Sequence, residues 1–365
     1  MPVSNRPLHV CLLTGGGDAP GLNAAVRAFY HAATRRSITV SASRFGFEGL
    51  LGRADLAPLR IEDVRGILPR GGSVLGCSTK SNPFAPAVGE GAAIERKASL
   101  DALVALAIDG LVLAGGDGTM AIACNLSELG VPCIGIPKTI DGDLGATEQT
   151  CGVDTAVETA TRAIDALHST AESHQRVMIV EIMGRTTGWI ALRAAIAGGA
   201  DAALIPEIPY EPARVVAKIR EREALGLRFS IVVIGEGACR ARGRTSEIEP
   251  AHEGQLARLG GAGHKLAEEL AALDVGHEVR VTVLGHLQRG GTPTAADRLL
   301  ATRFGTHAAE LCAERRFGRM VALHGGEIDS VPLTEVPRAP HAVDPSGELV
   351  RCARAVGIEL GAGPK

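Results

Sequence analysis

The chain has 365 residues, enough for one large or two medium domains, and its 45% hydrophobic and 22% charged residues are ordinary for a globular protein. A net charge of −3 and only 3% aromatic residues argue against a nucleic-acid partner, which would require a basic surface or stacking aromatics. No apolar stretch reaches the ~20 residues needed to span a bilayer, and no apolar signal-peptide core follows Met1–Arg6. We therefore expect a cytoplasmic protein with no membrane partner.

The cysteines show no pattern of a metal or disulfide site. There are eight of them, with no C-x-x-C pair and no zinc-type spacing to histidine. Most lie in apolar stretches, where a free cysteine behaves as a small hydrophobic residue. We expect buried, reduced thiols at all or most of these positions: Cys11, Cys77, Cys124, Cys133, Cys151, Cys239, Cys312 and Cys352.

The first predicted unit is a strand, a glycine-rich loop and a helix. The strand is His9–Thr14, the loop is Gly15–Gly21, and the helix runs from about Asn23 to about Arg35. Pro20 and Asn23 are suitable residues for a helix start. A phosphate could bind at this helix N-terminus, although the loop matches neither the dinucleotide fingerprint nor the P-loop.

Strands and helices then alternate along the chain, which predicts an α/β fold with parallel sheets covered on both faces. A Pro-rich surface segment over Pro332–Gly347 should precede a short final helix. The other predicted helices are near Ser99–Ile108, after Thr119, and from Asp154 to about Ala171; the other predicted strands are Gly110–Ala114, Cys133–Pro137, Val177–Ile182, Ser230–Ile234 and Arg280–Leu284.

Polar clusters follow most of these strands, at the sheet edge where open α/β proteins bind ligands. In the segment Gly115-Gly116-Asp117-Gly118-Thr119, the glycines would let backbone N–H groups approach an anion. Asp117 could hold a divalent cation beside a phosphate, as phosphoryl transfer requires. A simple tight turn is the alternative interpretation.

Two carboxylates follow the next strand. In an extended segment Asp141 and Asp143 would project to the same side, with Ile140 on the other. One could then accept a proton while the other organises metal or water. Asp-Gly-Asp is also typical of a turn.

Further polar residues stand near strand ends. Arginine binds phosphate through a bidentate fork, but any single arginine could equally be a solvated surface residue. Glu236, between two glycines, could bind a hydroxyl or only form a turn, and His286 could be structural or catalytic. The arginines at or beside strand ends are Arg176, Arg185, Arg280 and Arg289.

Five motifs together resemble the 6-phosphofructokinase family of the A type, over residues 8 to 325. In chain order they are TGGGDAPGLN (Thr14–Asn23), GGDGT (Gly115–Thr119), PKTIDGD (Pro137–Asp143), MGR (Met183–Arg185) and LGHLQRGG (Leu284–Gly291). The resemblance implies two Rossmann-like three-layer α/β/α domains with mainly parallel sheets and an active site in the cleft between them. The donor domain would comprise 1–153 and about 286–340, and the sugar-phosphate domain 154–285 and about 341–365.

The implied reaction is glycolytic transfer of the γ-phosphoryl group of MgATP to the 1-hydroxyl of fructose 6-phosphate. Asp141 would be the general base, and Arg185 would stabilise charge on the transferring group. Asp117 would hold Mg²⁺. The matching donor-site positions are Gly16, Thr79, Lys80, Gly116, Asp117, Gly118 and Thr119, and the matching substrate positions are Thr139, Asp141, Asp143, Met183, Gly184, Arg185, Glu236, His286 and Arg289. Thr139 would also belong to the catalytic set.

The resemblance also implies an oligomer. Arg176 and Arg280 match arginines that reach a neighbouring subunit's site in family members, so a homodimer or homotetramer is expected.

The chain departs from the family's ATP-type pattern at several positions. Gly142 replaces an asparagine common in bacterial members, and Thr79 stands where ATP enzymes carry a donor-binding arginine, leaving Lys80 as the nearest cation. Gly118 is typical of ATP users, because pyrophosphate users carry an aspartate there that would oppose the nucleotide α-phosphate. Lys138 is typical of pyrophosphate users. We expect ATP, since a steric and charge block is harder to evade than an extra cation.

Other activities stay open at this point. Pyrophosphate is the alternative donor, and another sugar phosphate, such as sedoheptulose 7-phosphate, is an alternative acceptor. Lipid and NAD kinases also use a GGDGT segment but would leave Asp141–Asp143 and Leu284–Gly291 unexplained. A catalytically silent sugar-phosphate sensor would not need the intact Asp117, Asp141 and Arg185.

Overall fold

The computed structural model describes residues 6–79, 82–83, 101, 103–241, 243, 245–249, 258–336 and 339–363. The chain divides into two compact units. Unit 1 comprises the described residues of Met1–Ile140, Leu144–Asp154 and Arg289–Ala339, and unit 2 those of Asp141–Asp143, Thr155–Gln288 and Pro340–Lys365.

Strands and helices alternate through both units. The strands are β1 (His9–Thr14), β2 (Thr39–Ser43), β3 (Leu56–Pro58), β4 (Gly110–Gly115), β5 (Cys133–Thr139), β6 (Cys151–Gly152), β7 (Val177–Ile182), β8 (Ala202–Leu204), β9 (Ser230–Gly235), β10 (Glu247–Glu249), β11 (Arg258–Leu259), β12 (Val279–Val283), β13 (Arg319–His324) and β14 (Glu327–Pro332). The helices are α1 (Leu22–Thr34), α2 (Ile61–Val64), α3 (Asp117–Glu128), α4 (Val153–His174), α5 (Trp189–Ala197), α6 (Pro212–Ala224), α7 (Ala262–Ala272), α8 (Ala295–Ala313) and α9 (Glu348–Ala355).

Unit 1 is built on one sheet with the order β14-β13-β5-β4-β1-β2-β3, and β6 pairs with β5. The central pairs are parallel, while β2–β3 and β13–β14 are antiparallel edges. Successive residues of β1 enter opposite cores: Leu12 packs in a cluster with α1 and α8, and Leu13 in a cluster with α3. Because both faces of the sheet are covered, its central strands β1, β4 and β5 are mainly apolar.

The topology of unit 1 creates a ligand crevice. From β1 the chain proceeds to β2 on one side, whereas β4 and β5 lie on the other side. At such a switch point the loops after the two adjacent strands diverge and leave a crevice at their carboxyl ends. The loops that border it follow β1 and β4, so they are the two glycine-rich segments singled out from the sequence.

Unit 2 contains a parallel four-stranded sheet with the order β12-β7-β9-β8, and a separate antiparallel pair, β10–β11. Its main core joins this sheet to α6 and α7, through Ile179, Val232, Val215 and Leu266 among others. The α4 and α5 residues Ile164, Ile190 and Leu192 are also fully buried.

The predicted α/β architecture with mainly parallel sheets is confirmed. Strands β1 and β7 have the predicted bounds, and the other predicted strands agree to within two residues. The helix predicted near Ser99–Ile108 lies partly outside the described residues. Within the part that is described, residues 101 and 103–105 are helical. Pro332 ends β14 and a short 3₁₀ turn follows at Leu333–Glu335, whereas the sequence predicted only an irregular crossing there.

The helix start after the first glycine loop differs from the prediction. Helix α1 begins at Leu22 with Gly21 as its N-cap, and no side chain caps it. Asn23 instead donates to the carbonyls of Arg70 and Gly71 and accepts from the N–H of Val74. Its amide therefore fixes the 70–74 segment rather than the helix terminus.

All eight cysteines are free thiols, and three of them, Cys77, Cys239 and Cys352, are only half-buried. No helix in the described part of the chain has both the length and the apolar character that crossing a bilayer requires.

Candidate active site

The loop after β1 is fixed to its neighbours by main-chain hydrogen bonds. Gly15 donates its N–H to the carbonyl of Ala114 on β4 (2.9 Å), and Gly16 donates to the carbonyl of Ser78 (3.2 Å). Gly16 has φ of 71°, a left-handed conformation that glycine adopts without strain. The loop is therefore held in one shape at the crevice.

Lys138 supports this loop from β5. Its side chain is 2% exposed, and its Nζ donates to the carbonyl oxygens of Gly15 (2.9 Å) and Gly17. Burial lowers the pKa of Lys138 below its usual range. The sequence analysis treated Lys138 as a residue that distinguishes the two donors. In the structure its ammonium group is hydrogen-bonded to the first glycine loop itself.

The loop after β4 packs tightly against the first loop. A Cβ placed on Gly15 would lie 2.6 Å from Thr119 Oγ1, and one on Gly115 would also collide with Thr119. Thr119 is 5% exposed, so its side chain fills the space between the two loops. Side-chain packing therefore requires glycine at these two positions, a reason that the sequence alone did not reveal.

Helix α3 begins directly at this loop. Asp117 is its first residue, and Asp117 and Gly118 are exposed to solvent. The first-turn amides of a helix carry no intrahelical partner and attract anions. A carboxylate beside such an anion site matches the way Mg²⁺ is bound, through one or two carboxylates plus phosphate oxygens. Among the described residues no group of three or more His, Cys, Asp or Glu side chains forms a separate metal cluster.

A cavity of about 430 Å³ runs along α3. It is bordered by Asp117, Gly118 and Asn125 on the helix and by Leu333–Glu335 after β14. A Cβ placed on Gly118 would lie more than 4 Å from every atom of the described residues, apart from its chain neighbours and the backbone of its own helix. Unit 1 therefore offers a space of small-molecule size next to its two glycine loops.

In unit 2, the acidic loop Asp141–Asp143 is compact rather than extended. Strand β5 ends at Thr139, and Gly142 has φ of 69°. The alternation argument that placed the two aspartates on one side therefore does not apply to this loop. Asp141 and Asp143 are only 9% and 7% exposed, and Thr187 Oγ1 donates to the carbonyl of Asp141 (3.1 Å).

The loop after β7 carries Met183, Gly184 and Arg185. Arg185 has φ of 56°, an uncommon conformation for a residue with a side chain. Glu236 Oε1 accepts the N–H of Arg185 at 2.9 Å and that of Gly184 at 3.4 Å. Glu236 thus holds the backbone that presents Arg185, and a side chain at Gly237 would collide with the Arg185 carbonyl.

Gln288 is a site residue that sequence reasoning missed. It is fully buried, and its Oε1 accepts the N–H of Met183 at 2.8 Å. It lies within the LGHLQRGG motif, but a glutamine there gives no local signal that it bonds to a loop a hundred residues earlier. Buried amides of this kind fix a loop because an unmet hydrogen bond is costly.

Two of the four arginines lie at the opposite end of the unit 2 sheet from Met183. Arg176 immediately precedes β7, Arg280 is the second residue of β12, and the two strands are parallel. Both guanidinium groups bind the carboxylate of Glu278, and the hydrogen bond from Arg176 is the main cause of that carboxyl's lowered pKa. They are therefore remote from the Met183–Arg185 loop of their own chain.

The remaining predicted residues are distributed as follows. Arg289 lies in unit 1, where it donates to the carbonyl of Asp18 (3.1 Å) beside Gly17. His286 is exposed within the 3₁₀ turn Gly285–Arg289 of the chain. Thr79 is exposed, and Lys80 lies outside the described residues.

Comparison with known proteins relates this arrangement to a single family. The Phosphofructokinase family profile matches residues 9–312. The "ATP-dependent 6-phosphofructokinase" of Chloroflexus aggregans is 48% identical over 361 residues, covering 98% of this chain and 99% of that protein. The "Pyrophosphate--fructose 6-phosphate 1-phosphotransferase" of Streptomyces coelicolor is 46% identical over 342 residues, covering 93% and 97%.

A solved structure shares the fold. The phosphofructokinase of Pichia pastoris in the T-state superposes with a TM-score of 0.79 at 29% identity, covering 92% of this chain. This chain spans 36% of the length of that yeast chain. Together, the family match over most of the sequence and the near-full-length relatives show that this chain belongs to the phosphofructokinase family.

Proposed function

We propose that this protein transfers the γ-phosphoryl group of MgATP to the 1-hydroxyl of fructose 6-phosphate, giving fructose 1,6-bisphosphate, as a step of glycolysis in the cytoplasm. The observation that carries the choice of ATP is the open space at Gly118. Apart from its chain neighbours and the backbone of its own helix, no atom of the described residues lies within 4 Å of a Cβ placed there, and the residue borders the 430 Å³ cavity along α3. That space suits the ribose and base of a nucleotide, which pyrophosphate lacks.

Unit 1 would bind the donor. The glycine loops, among them Gly16 and Gly116, and the first turn of α3 would receive the phosphates, with the Thr119 side chain keeping the two loops apart. Asp117 would hold Mg²⁺ together with phosphate oxygens, and that ion, when bound, neutralises charge on the transferring group. Thr79 and Lys80 would complete the donor site.

The position of Lys138 also supports ATP. Its ammonium group donates to two carbonyls of the first glycine loop and is buried beneath it. A lysine used in this way shapes the loop for any polyphosphate, so its presence does not by itself require pyrophosphate.

Unit 2 would bind the sugar phosphate and hold the base. Asp141 would take the proton from the 1-hydroxyl as that oxygen attacks phosphorus, with Thr139 and Asp143 beside it. Arg185, held by Glu236, would stabilise the charge of the transferring phosphoryl group. The proposed sugar-phosphate contacts in unit 2 are Met183, Gly184, Arg185, Glu236 and His286, and Arg289 of unit 1 is proposed as a further contact.

Arg176 and Arg280 would act in a neighbouring subunit. Their location at the end of the sheet opposite Met183–Arg185 suits contact with another copy of the chain rather than with their own sugar site. A homodimer or homotetramer is therefore part of the proposal.

The deciding experiment offers fructose 6-phosphate and Mg²⁺ with either ATP or pyrophosphate, and couples the bisphosphate product to NADH oxidation. We expect turnover with ATP and little with pyrophosphate. Turnover with pyrophosphate alone would overturn the choice of donor, and none with either donor would overturn the reaction. Offering sedoheptulose 7-phosphate in parallel tests the acceptor.

Pyrophosphate is the second candidate donor. Lys138 favours pyrophosphate, because a lysine at this position is typical of pyrophosphate users. The Streptomyces coelicolor relative named for pyrophosphate is 46% identical to this chain, and the Chloroflexus aggregans relative named for ATP is 48% identical. The same assay separates the two donors directly.

A further inference from the structure

The acidic loop Asp141–Asp143 is bound by a segment from near the chain's C-terminus. Pro340–Val343 belongs to the same unit as the loop, and His341 donates its N–H to the carbonyl of Asp143 (2.6 Å). Trp189 Nε1 donates to the carbonyl of His341 (2.7 Å). The Trp189 and His341 rings also pack at a centroid distance of 5.2 Å.

A single carboxylate anchors this segment to helix α5. Glu207 Oε1 accepts the N–H of Val343 (2.8 Å) and the N–H of Gly188 (3.0 Å), the residue before α5. A hydrogen bond with a charged acceptor is about twice as strong as a neutral one. Glu207 therefore couples the start of α5 to the segment that touches the acidic loop.

Residues at the start of α5 hold the other side of the loop. A Cβ placed on Gly142 would lie 3.4 Å from the Cβ of Trp189, so the glycine rests against the tryptophan. Thr187 Oγ1 donates to the carbonyl of Asp141. The loop is thus held between residues 187–189 on one side and residue 341 on the other.

We propose that Trp189, Glu207 and the segment Pro340–Val343 are positioning elements that hold Asp141 where it can act as the general base. This inference rests on the proposed function. A general base has to stand within hydrogen-bond reach of the proton it removes, and a misplacement of 1 Å can cost about 10²-fold in rate. Each main-chain hydrogen bond described above involves the acidic loop itself, residues 187–189 or the segment Pro340–Val343.

The test separates position from stability. Trp189→Phe keeps a ring against Gly142 but removes the N–H that binds His341, and Glu207→Ala removes the shared acceptor. We expect each to lower kcat at least tenfold with the KM for ATP within twofold of wild type. Glu207→Gln, whose amide oxygen still accepts, should restore most of the rate.

His168→Ala is the matched control. His168 Nε2 hydrogen-bonds to the carbonyl of Gly198 (2.7 Å), just past the other end of α5, so its loss removes a similar contact from the same helix. We expect a comparable fall in melting temperature but kcat within twofold of wild type. If His168→Ala lowers kcat as much as Trp189→Phe does, general loosening of α5 explains the effect and the proposal is wrong.

Amide hydrogen exchange gives a readout independent of turnover. In Trp189→Phe, peptides covering residues 340–344 and 140–144 should both exchange at least tenfold faster. Faster exchange of residues 340–344 alone would overturn the proposal, because the segment would then not hold the loop. If Trp189→Phe does not fold, His341→Ala replaces it as the test, since it changes an exposed side chain and retains both main-chain hydrogen bonds of residue 341. Both peptides should then exchange faster, though by less than in Trp189→Phe. No increase in the exchange of residues 140–144 would overturn the proposal.

Failure of the proposed function is recognised separately. A wild-type protein inactive with fructose 6-phosphate and either donor contradicts the function, whatever the exchange data show. An active wild type whose Trp189→Phe and Glu207→Ala variants are folded and keep kcat within twofold contradicts only the positioning role.

Discussion

At the scale of single residues, the proposed choice of donor depends on Gly118. An aspartate there would place a negative charge at the start of α3, in space that is open in this structure. Like charges at contact distance repel by about 1 to 4 kcal/mol near a protein surface. We expect Gly118→Asp to lower kcat/KM for ATP at least tenfold while leaving any pyrophosphate reaction unchanged.

Gly118→Ala is the control for that variant, because it adds a side chain without charge and, beyond its own helix, its Cβ would meet no atom of the described residues within 4 Å. Its ATP kinetics should stay within a few-fold of wild type. Unchanged ATP kinetics in Gly118→Asp would remove the main support for ATP as the donor.

In the proposed mechanism, Asp141 is the residue on which the chemical step depends. Replacing it by alanine removes the proposed proton acceptor, and positioned general-base catalysis contributes roughly 10²–10⁴ in rate. We expect Asp141→Ala to lower kcat by at least 10² while the dissociation constant for fructose 6-phosphate, measured by calorimetry, stays within about threefold. A variant that loses sugar binding but keeps kcat at saturation would contradict the base role.

The sequence predicted which residues stand at strand ends far better than it predicted their contacts. Asp117 and Gly118 follow a buried apolar strand, a pattern visible in the sequence itself. The partners of Lys138 and Glu236 were not predictable, because both bind main-chain atoms of loops distant in sequence. Such contacts depend on tertiary placement, for which a single sequence carries no local signal.

At the scale of elements, the two glycine loops of unit 1 are coupled through one side chain. A Cβ on Gly15 would lie 2.6 Å from Thr119 Oγ1 and 2.9 Å from Thr119 Cγ2. Overpacking of this kind typically costs about 1–3 kcal/mol. We expect Gly15→Ala to destabilise the protein by that amount in urea unfolding and to raise the KM for ATP.

A double-mutant cycle checks that mechanism. If the clash is with Thr119, then Thr119→Ala should relieve it, so the double variant should be more stable than the sum of the single changes predicts. Strictly additive losses would show that Gly15 is needed for its own backbone conformation instead.

The burial of the strands explains why the central parallel strands of unit 1 were predictable and its antiparallel edge strands were not. β1, β4 and β5 are covered on both faces and are therefore continuous apolar runs. β3 and β14 are edge strands that are only partly buried, so their sequences lack that signal. Most of the parallel core therefore followed from composition and spacing, whereas β2, β8, β13 and the antiparallel edges required the structure.

At the scale of the whole molecule, the titration of buried thiols distinguishes the two units. Burial raises the pKa of four cysteines from 9.0 to about 12, and all four lie in unit 1: Cys11, Cys133, Cys151 and Cys312. The cysteines of unit 2, Cys239 and Cys352, are half-buried. Burial also raises the pKa of Tyr210 in unit 2, but from an ordinary value of 10.0, so alkaline pH should weaken unit 1 first and more strongly.

The sign follows from proton linkage. A thiol whose folded pKa exceeds its unfolded pKa contributes stability that is fully present below pH 9 and is lost as pH rises towards 12. At pH 10 the loss is about 1 kcal/mol for each such thiol. Lys138, with a lowered pKa, has the opposite sign, so the measured change is the net of the two effects.

Urea unfolding at pH 8 and pH 10 tests this difference between the units. Alkylation of Cys11 and Cys312, followed by mass spectrometry, reports opening of unit 1, and the fluorescence of Trp189, the sole tryptophan, reports unit 2. Raising the pH from 8 to 10 should lower the urea concentration at the alkylation midpoint by more than it lowers the urea concentration at the fluorescence midpoint. Equal shifts of both midpoints would contradict selective weakening, since they would mean that the units unfold as one cooperative block or that the buried thiols do not dominate the alkaline response.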